Sequence, residues 1–461
     1  MPVPKEYLQV KRPKNTICKM IGNKCAVIER VGCKRVNGKN IPMNGHVIGH
    51  IIDSVYVPKS KVSFRITLKN YGDFAMADML SSEILNDLIK VYGDEGTRIY
   101  CIAMLRALNP RLTDNQIDDE YEESFISEKY KGLSLGRSTV STLIENIGKD
   151  AEKSLRFMQT RVERIGDEDL VAVDGMLSPN NSRVNSLSEF SFKGRIKSSR
   201  DLSQIIAFNT ATKEIICSLP YPGNTVDIVS FPDFIKKIGI KNGIVVTDKA
   251  GSGIDTLGVG YIHPLKRNAK IIDALGLYDM DDRLPDKEKA IQCRKAHSDG
   301  KYYYAYRDVK RAAKEMSDYM KSKNYSLEKL KNKQESFGTV VYVSDRDLTL
   351  KEAYEIYGKR WEIELINKFY KTNWRLGVRE HGDYSVYGTE FINMLSSIIG
   401  SKLKNKFEET GLFEKHTYGE IMKYLRRYKK AKDPKDVSRW IETAQAKKGV
   451  AVLEKLGVYS G

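Results

Sequence analysis

The run YGKRWEIELINKFYK, Tyr357–Lys371, decides how the rest of the chain is read. It has no Pro and one Gly, and apolar residues recur at helical spacing in Ile356, Ile363, Ile366 and Tyr370, so the pattern predicts a helix. At about 100° per residue, Tyr357, Arg360, Glu364 and Lys371 fall in a stripe roughly 60° wide, with the apolar set on the opposite face. A phenol, a guanidinium, a carboxylate and an ammonium then share one face, which suits holding a phosphate beside a metal-binding carboxylate. Mixed charge on a helix is also how a solvated surface with i, i+4 pairs looks, and the stripe alone leaves both readings open.

Composition narrows the partners. The 461 residues are 41% hydrophobic and 30% charged, which fits a soluble globular chain of roughly two to four domains. No apolar run has the length of a membrane span, and MPVPKEYLQVKRPKN lacks the apolar core of a secretory signal, so a cytoplasmic protein with no membrane partner is expected. The net charge of +17 points to a polyanion, and with no amphipathic anchor nucleic acid is favoured over a membrane surface. Six cysteines form no CxxC pair. Cys18, Cys25 and Cys33 with His46 and His50 invite a zinc reading, but their spacings are not those of a zinc knuckle, and reduced structural thiols are expected.

Taken in order, residues 1–62 read as a basic β module, with strand-like pairs punctuated at Gly22-Asn23, Asn37-Gly38 and Asn44-Gly45. Its lysines and arginines suit a DNA backbone or a guarded sheet edge. Residues 63–165 turn helical, and Leu133–Ser141 has the outline of a helix-turn-helix with a serine N-cap. Asp169–Asp174 (DLVAVD) reads as a buried strand ending in an acid, and Gly243–Asp248 (GIVVTD) repeats the pattern. Between them lie a hairpin, Gln204–Leu219 with a turn at 210–213, and a helix opened by PGNTVD. After Asp248, strands with a hairpin turn at Ser298-Asp299-Gly300 are expected, then a charged helix, a strand at Gly338–Val343 and the signature helix. An apolar helix from Gly388 to about Leu403 and a basic helical tail carrying Lys423–Lys432 complete the expected order.

The spacing Y-x2-R-x3-E-x6-K, with RWEIE and FYK around it, resembles the YREK signature of insertion-sequence DDE transposases of the insertion-sequence-4-like superfamily. The resemblance extends over about 165–405, through PGNTVD and the D-x-x-G of Asp248–Gly251; it departs at Met176, where that family often has Thr. It implies an α/β fold: a ribonuclease-H-like core (166–252 and 337–405) interrupted by a β-rich insertion (253–336), with the N-terminal module and helical DNA-binding region before it and the tail (406–461) after it. It implies Asp174, Asp248 and Glu364 as catalytic acids and ligands of two Mg2+ ions, for which Mn2+ can substitute, and Tyr357, Arg360 and Lys371 as phosphate-binding residues. Hard oxygen ligands suit those ions. The implied partners are transposon-end double-stranded DNA, target DNA and a second copy of the chain in a synaptic complex, in a bacterial or archaeal cytoplasm or nucleoid. Relatives that form hairpins place a base-trapping aromatic in the insertion. Trp361, Trp374 and Trp440 lie outside it, which leaves Tyr302, Tyr303, Tyr304 and Tyr306 as candidates or as core residues. The alternatives are a nuclease that cuts without joining and an inactive DNA-binding relic.

Overall fold

The computed structural model describes residues 2–36, 38–59, 66–180, 182–191, 199–248, 253–285, 289–364, 382–434, 436 and 438–459. Two compact units divide the chain: Met1–Thr67 with Lys432–Ser438, and Leu68–Ala431 with Arg439–Gly461. The first holds a short helix α1 (Lys5–Leu8) and an antiparallel sheet of four strands, β1 (Thr16–Ile21), β2 (Lys24–Val36), β3 (Lys39–Ile52) and β4 (Val55–Pro58), in sequential order. Its core is small and centres on Cys25, Val27 and Ile51.

The second unit opens with β5 (Leu68–Asn70) and six helices: α2 (Gly72–Tyr92), α3 (Glu95–Leu108), α4 (Ile117–Glu123), α5 (Ile126–Lys129), α6 (Arg137–Lys149) and α7 (Ala151–Val162). The expected serine cap is absent: the residue before α6 is Gly136, with no side-chain cap bond, and α5 has only four residues. Helix α6 buries Val140, Leu143, Ile144 and Ile147. It lies against the long helix α13 (Asp383–Glu409) with the two backbones nearly touching. A Cβ on Gly388 would stand 1.8 Å from the Ile144 carbonyl, and one on Gly148 1.8 Å from that of Tyr384. Only glycine permits that approach.

A ten-stranded mixed sheet follows. Its first part comprises β6 (Leu170–Pro179), β7 (Glu189–Phe190), β8 (Arg200–Asn209), β9 (Glu214–Pro222), helix α8 (Asp227–Ile238), β10 (Ile244–Val246) and β11 (Gly260–Pro264). Strands β9, β8 and β6 are antiparallel neighbours, and α8 then carries the chain over to β10, which runs parallel to both β6 and β11. The apolar alternation of β6 places Val171 and Val173 against the helical layer and Leu170 in the core of the other face. After β11 come α9 (Lys270–Ala274), β12 (Asp282–Leu284), β13 (Ile291–Ser298), β14 (Lys301–Asp308), α10 (Val309–Met320), α11 (Leu327–Lys333) and β15 (Thr339–Ser344). Positive φ at Asp299 (50°) and Gly300 (71°) makes the two-residue hairpin turn that the sequence predicts. The strands of the expected insertion make no sheet of their own. β11 pairs β15, β15 pairs β14, and β13 and β12 follow, so they widen the same sheet.

Helix α12 (Leu350–Lys359) covers the face opposite the helical layer, closed at its start by a reciprocal capping box between Thr349 and Glu352. The chain tightens at Arg360, whose N–H bonds Tyr357 O, and Trp361–Glu364 is again helical. The predicted signature helix thus begins earlier than Tyr357 and is interrupted at Arg360; Lys371 and Trp374 lie outside the described residues. Helix α13 likewise starts before Gly388 and runs past Leu403. The tail departs from the expected basic helix: α14 (Tyr418–Arg427) ends at Tyr428, and Lys429–Lys432 form strand β16, paired with β5 on one side and β17 (Trp440–Glu442) on the other. Tyr428 is extended and fully buried, and the backbone of Lys429–Ala431 pairs with Leu68–Asn70, so ladder bonds replace helical ones there. Helix α15 (Lys447–Lys455) follows. Among the described residues no helix is long and apolar enough to cross a membrane.

Candidate active site

Strands β6 and β10 pair in parallel from Leu170/Ile244 to Ala172/Val246. Both chains continue two residues past that last pair, to Asp174 and Asp248. The acids therefore follow the last parallel pair by the same number of residues on two neighbouring strands. The sequence reading placed Asp174 at the end of its strand, whereas β6 runs on to Pro179 with β8 alone, Asp174 standing opposite Ile206. What ends before Asp174 is the parallel pairing.

The third acid, Glu364, follows helix α12 just beyond the turn at Arg360. Tyr342 on β15 stacks on Tyr357, with centroids 4.2 Å apart and planes at 25°. The start of the helix is pinned by two tyrosines of β14, Tyr304 donating to Arg346 O and Tyr306 to Leu350 O, both at 2.7 Å. These are residues that sequence reasoning offered as base-trapping candidates; Tyr303, Tyr304 and Tyr306 are buried and belong to the core. Their role in placing α12, and the Tyr342 stack, escaped the sequence, although the alternation in Tyr302-Tyr303-Tyr304-Ala305-Tyr306 marks a strand with one aromatic face.

Arg360 stands among the acids. Its guanidinium donates to Glu364 at 2.5 Å and lies 5.7 Å from the Tyr357 ring centroid. Burial raises the Asp174 carboxyl above the usual aspartate range. Arg360 opposes that shift, while the charges of Asp248 and Glu364 add to it. Burial by itself would lower the Arg360 guanidinium, but Tyr357, Glu364, Asp174 and Asp248 together raise it. The Tyr357 phenol is raised, chiefly by burial, with Arg360 pulling the other way and the charges of Asp248 and Glu364 adding to the rise. Asp174, Asp248, Glu364, Arg360 and Tyr357 thus share one electrostatic neighbourhood. Lys371, the remaining predicted residue, lies outside the described residues.

As a donor set for a metal, three carboxylates suit a hard divalent cation, and a buried acid with like-charged neighbours is the group that such a cation relieves. Among the described residues, however, no three His, Cys, Asp or Glu groups are gathered closely enough to hold an ion. This applies equally to Cys18, Cys25, Cys33, His46 and His50; the cysteines are free thiols, Cys25 buried and Cys33 exposed. Among the described residues, Arg360 is the cation whose field reaches Asp174.

Residues 165–381, just under half of the chain, match the family model of the transposase DDE domain. No curated protein matches the chain. Among solved structures, a cryo-EM structure of the piggyBac transposase synaptic complex with hairpin DNA aligns with 79% of this chain and 82% of that one, at 11% identity and a TM-score of 0.41. The family match spans Asp174, Asp248, Tyr357, Arg360 and Glu364.

Proposed function

We propose that the chain is a DDE transposase of the insertion-sequence-4-like, YREK type, which binds terminal inverted repeats, frees their 3′ ends and joins them to target DNA by a cut-and-paste route. The observation that carries this reading is the equal offset of Asp174 and Asp248 on adjacent parallel strands, with Glu364 and Arg360 within their electrostatic reach, inside the stretch that matches the transposase DDE domain. The strand order β9-β8-β6-β10-β11, antiparallel on one side of β6 and parallel on the other, supports a ribonuclease-H-like core.

Asp174, Asp248 and Glu364 would hold two magnesium ions, with manganese able to substitute. When bound, these supply an activated oxygen nucleophile and charge relief at the phosphate. The rest is the work of this chain's own side chains. Arg360 offers a planar fork that fits a phosphate as readily as it fits Glu364. A phosphate drawing Arg360 away would release Glu364 toward the two aspartates, so DNA arrival and completion of the acid set become one event. Tyr357, fixed by its stack on Tyr342, limits where Arg360 can go. The net charge of +17 favours DNA at every stage. Two copies of the chain would hold the two ends in a synaptic complex, in a bacterial or archaeal cell.

A second reading has its own support. The Arg360–Glu364 pair and the ungathered acids are also what an inactive DNA-binding relic would keep. Labelled duplexes ending in the repeats that flank the gene, incubated with magnesium and either wild type or Glu364→Gln, separate the cases. Cleavage and joining by the wild type, reduced on the order of 10³-fold in a variant that still binds, is expected. Cutting without joined product would make it a nuclease, and binding without cutting a relic.

A further inference from the structure

Strands β1 and β4 flank only the base of the β2–β3 hairpin, pairing Lys24–Glu29 and Gly49–Ile52. The core of the module sits at that base. From Arg30 to Asn44 every described residue is exposed, and among the described residues no strand other than β2 and β3 pairs there. A bare two-stranded ribbon is marginal in water. This one also leaves Val31, Val36, Ile41 and Met43 exposed. It carries Arg30, Lys34, Arg35 and Lys39, and no acid from Arg30 to Asn44. Lysines that merely guard a sheet edge against aggregation have no need of four exposed apolar neighbours. Four cations with no acid, on a ribbon that no other strand pairs among the described residues, call for a polyanion.

The register says which side chains would do what. Val36 faces Lys39, Arg35 faces Asn40, Lys34 faces Ile41 and Cys33 faces Pro42. Cross-strand partners project from one face and successive residues alternate. Lys34 and Lys39 therefore share one face with Val36 and Ile41, and Arg35 and Asn40 share the other. Arginine and asparagine are the side chains whose paired polar atoms match guanine and adenine edges in the major groove, and that groove admits a two-stranded ribbon. Lysines on long stems are suited to the phosphates at its lips.

We infer that the β2–β3 ribbon is an arm that lies in the major groove of duplex DNA, with Arg35 and Asn40 turned to base edges and Lys34 and Lys39 to phosphates. The inference rests on DNA being the substrate, as proposed above, and assigns where that DNA is read. The helix-turn-helix outline at α6 is not needed for it.

The test uses the full chain, a duplex of about 40 bp carrying the sequence beside the gene, and a scrambled duplex of equal composition, with anisotropy followed from 50 to 200 mM salt. The K34A/K39A variant should weaken binding to both duplexes and lower the slope of log affinity against log salt by about 2. The R35A/N40A variant should lose on the order of tenfold of the preference for the gene-flanking duplex. All four side chains are exposed, so thermal melts should coincide with wild type. Unchanged affinity, preference and slope in both variants would overturn the inference, as would a changed oligomeric state with unchanged DNA binding, which would make the ribbon a contact between copies. If the wild type joins ends while the ribbon variants bind normally, only the arm falls. If the wild type binds neither duplex, the arm and the transposase reading fall together.

Discussion

The Glu315 cluster and the Arg360 cluster are built from the same two kinds of side chain and differ in their ratio. Glu315 on α10 accepts from Arg267 at 2.8 and 3.0 Å, from Arg311 at 2.8 Å and from the Gly338 N–H at 2.9 Å. Burial would raise its carboxyl, but these donors outweigh burial and hold it down at about 2. Around Arg360 the ratio is reversed: three acids share the field of one guanidinium, and Asp174 is pushed up. The two also act oppositely on stability. The depressed Glu315 contributes stability that is full above the ordinary glutamate range and lost as pH falls toward about 2. For Asp174, the ionised form costs stability, absent below the ordinary aspartate range and growing as pH rises through its raised value. A carboxylate surrounded by donors ties α10 to the start of β15. A guanidinium outnumbered by acids is the arrangement expected of a site that takes up a further cation.

The sharpest way to break this comparison is Arg360→Ala. Removing the guanidinium leaves a half-buried excess of negative charge, which should cost about 2 kcal/mol in urea unfolding and reduce joining on the order of 100-fold. Millimolar magnesium should then raise the melting midpoint of the variant more than that of wild type, because the ion takes over from the guanidinium. A variant as stable as wild type and indifferent to magnesium would mean that the three acids do not form one site. Glu315→Gln tests the other cluster and should have a smaller effect. Because Glu315 is a quarter exposed and its arginine partners more so, the expected loss at pH 7 is about 1 kcal/mol, with joining per folded molecule unchanged. The gap between variant and wild type should narrow as pH is lowered toward about 2, where Glu315 takes up its proton. A gap that stays constant with pH would show that burial, and not charge, sets its contribution.

Much of the candidate site is legible in residue order because two of its acids follow short apolar runs. DLVAVD and GIVVTD are apolar enough to be strands, and an acid after each is visible without coordinates. The stripe of Tyr357, Arg360 and Glu364 could be read because helical spacing is local. What the sequence hid is non-local. That β6 continues beyond Asp174 depends on pairing with β8, more than 20 residues away. That β12–β14 widen one sheet depends on β15 choosing both β11 and β14 as neighbours. The tail misled for a different reason. KYLRRYKKAK has helical composition throughout, but burial of Tyr428 and pairing with β5 convert its second half to a strand, a tertiary override of propensity. The Arg360–Glu364 pair has the i, i+4 spacing that the bland reading of the helix predicted, and the structure forms it. The bland and the functional readings thus describe the same two residues.

Tyr357→Phe should have the smallest effect, and it separates the ring from its hydroxyl. The stack on Tyr342 depends on the ring, so stability should stay within about 0.5 kcal/mol of wild type. What goes is a hydroxyl within hydrogen-bonding reach of Arg360, the group that limits how far the guanidinium can travel. If Tyr357 acts only through Arg360, joining should fall a few-fold, about 3–10, and the variant combined with Arg360→Ala should be no worse than Arg360→Ala alone. A loss as large as that of Arg360→Ala, adding to it in the double variant, would mean that the hydroxyl meets the DNA phosphate itself. The Arg360 cluster would then hold two independent phosphate contacts, where the present geometry supports one contact and its guide.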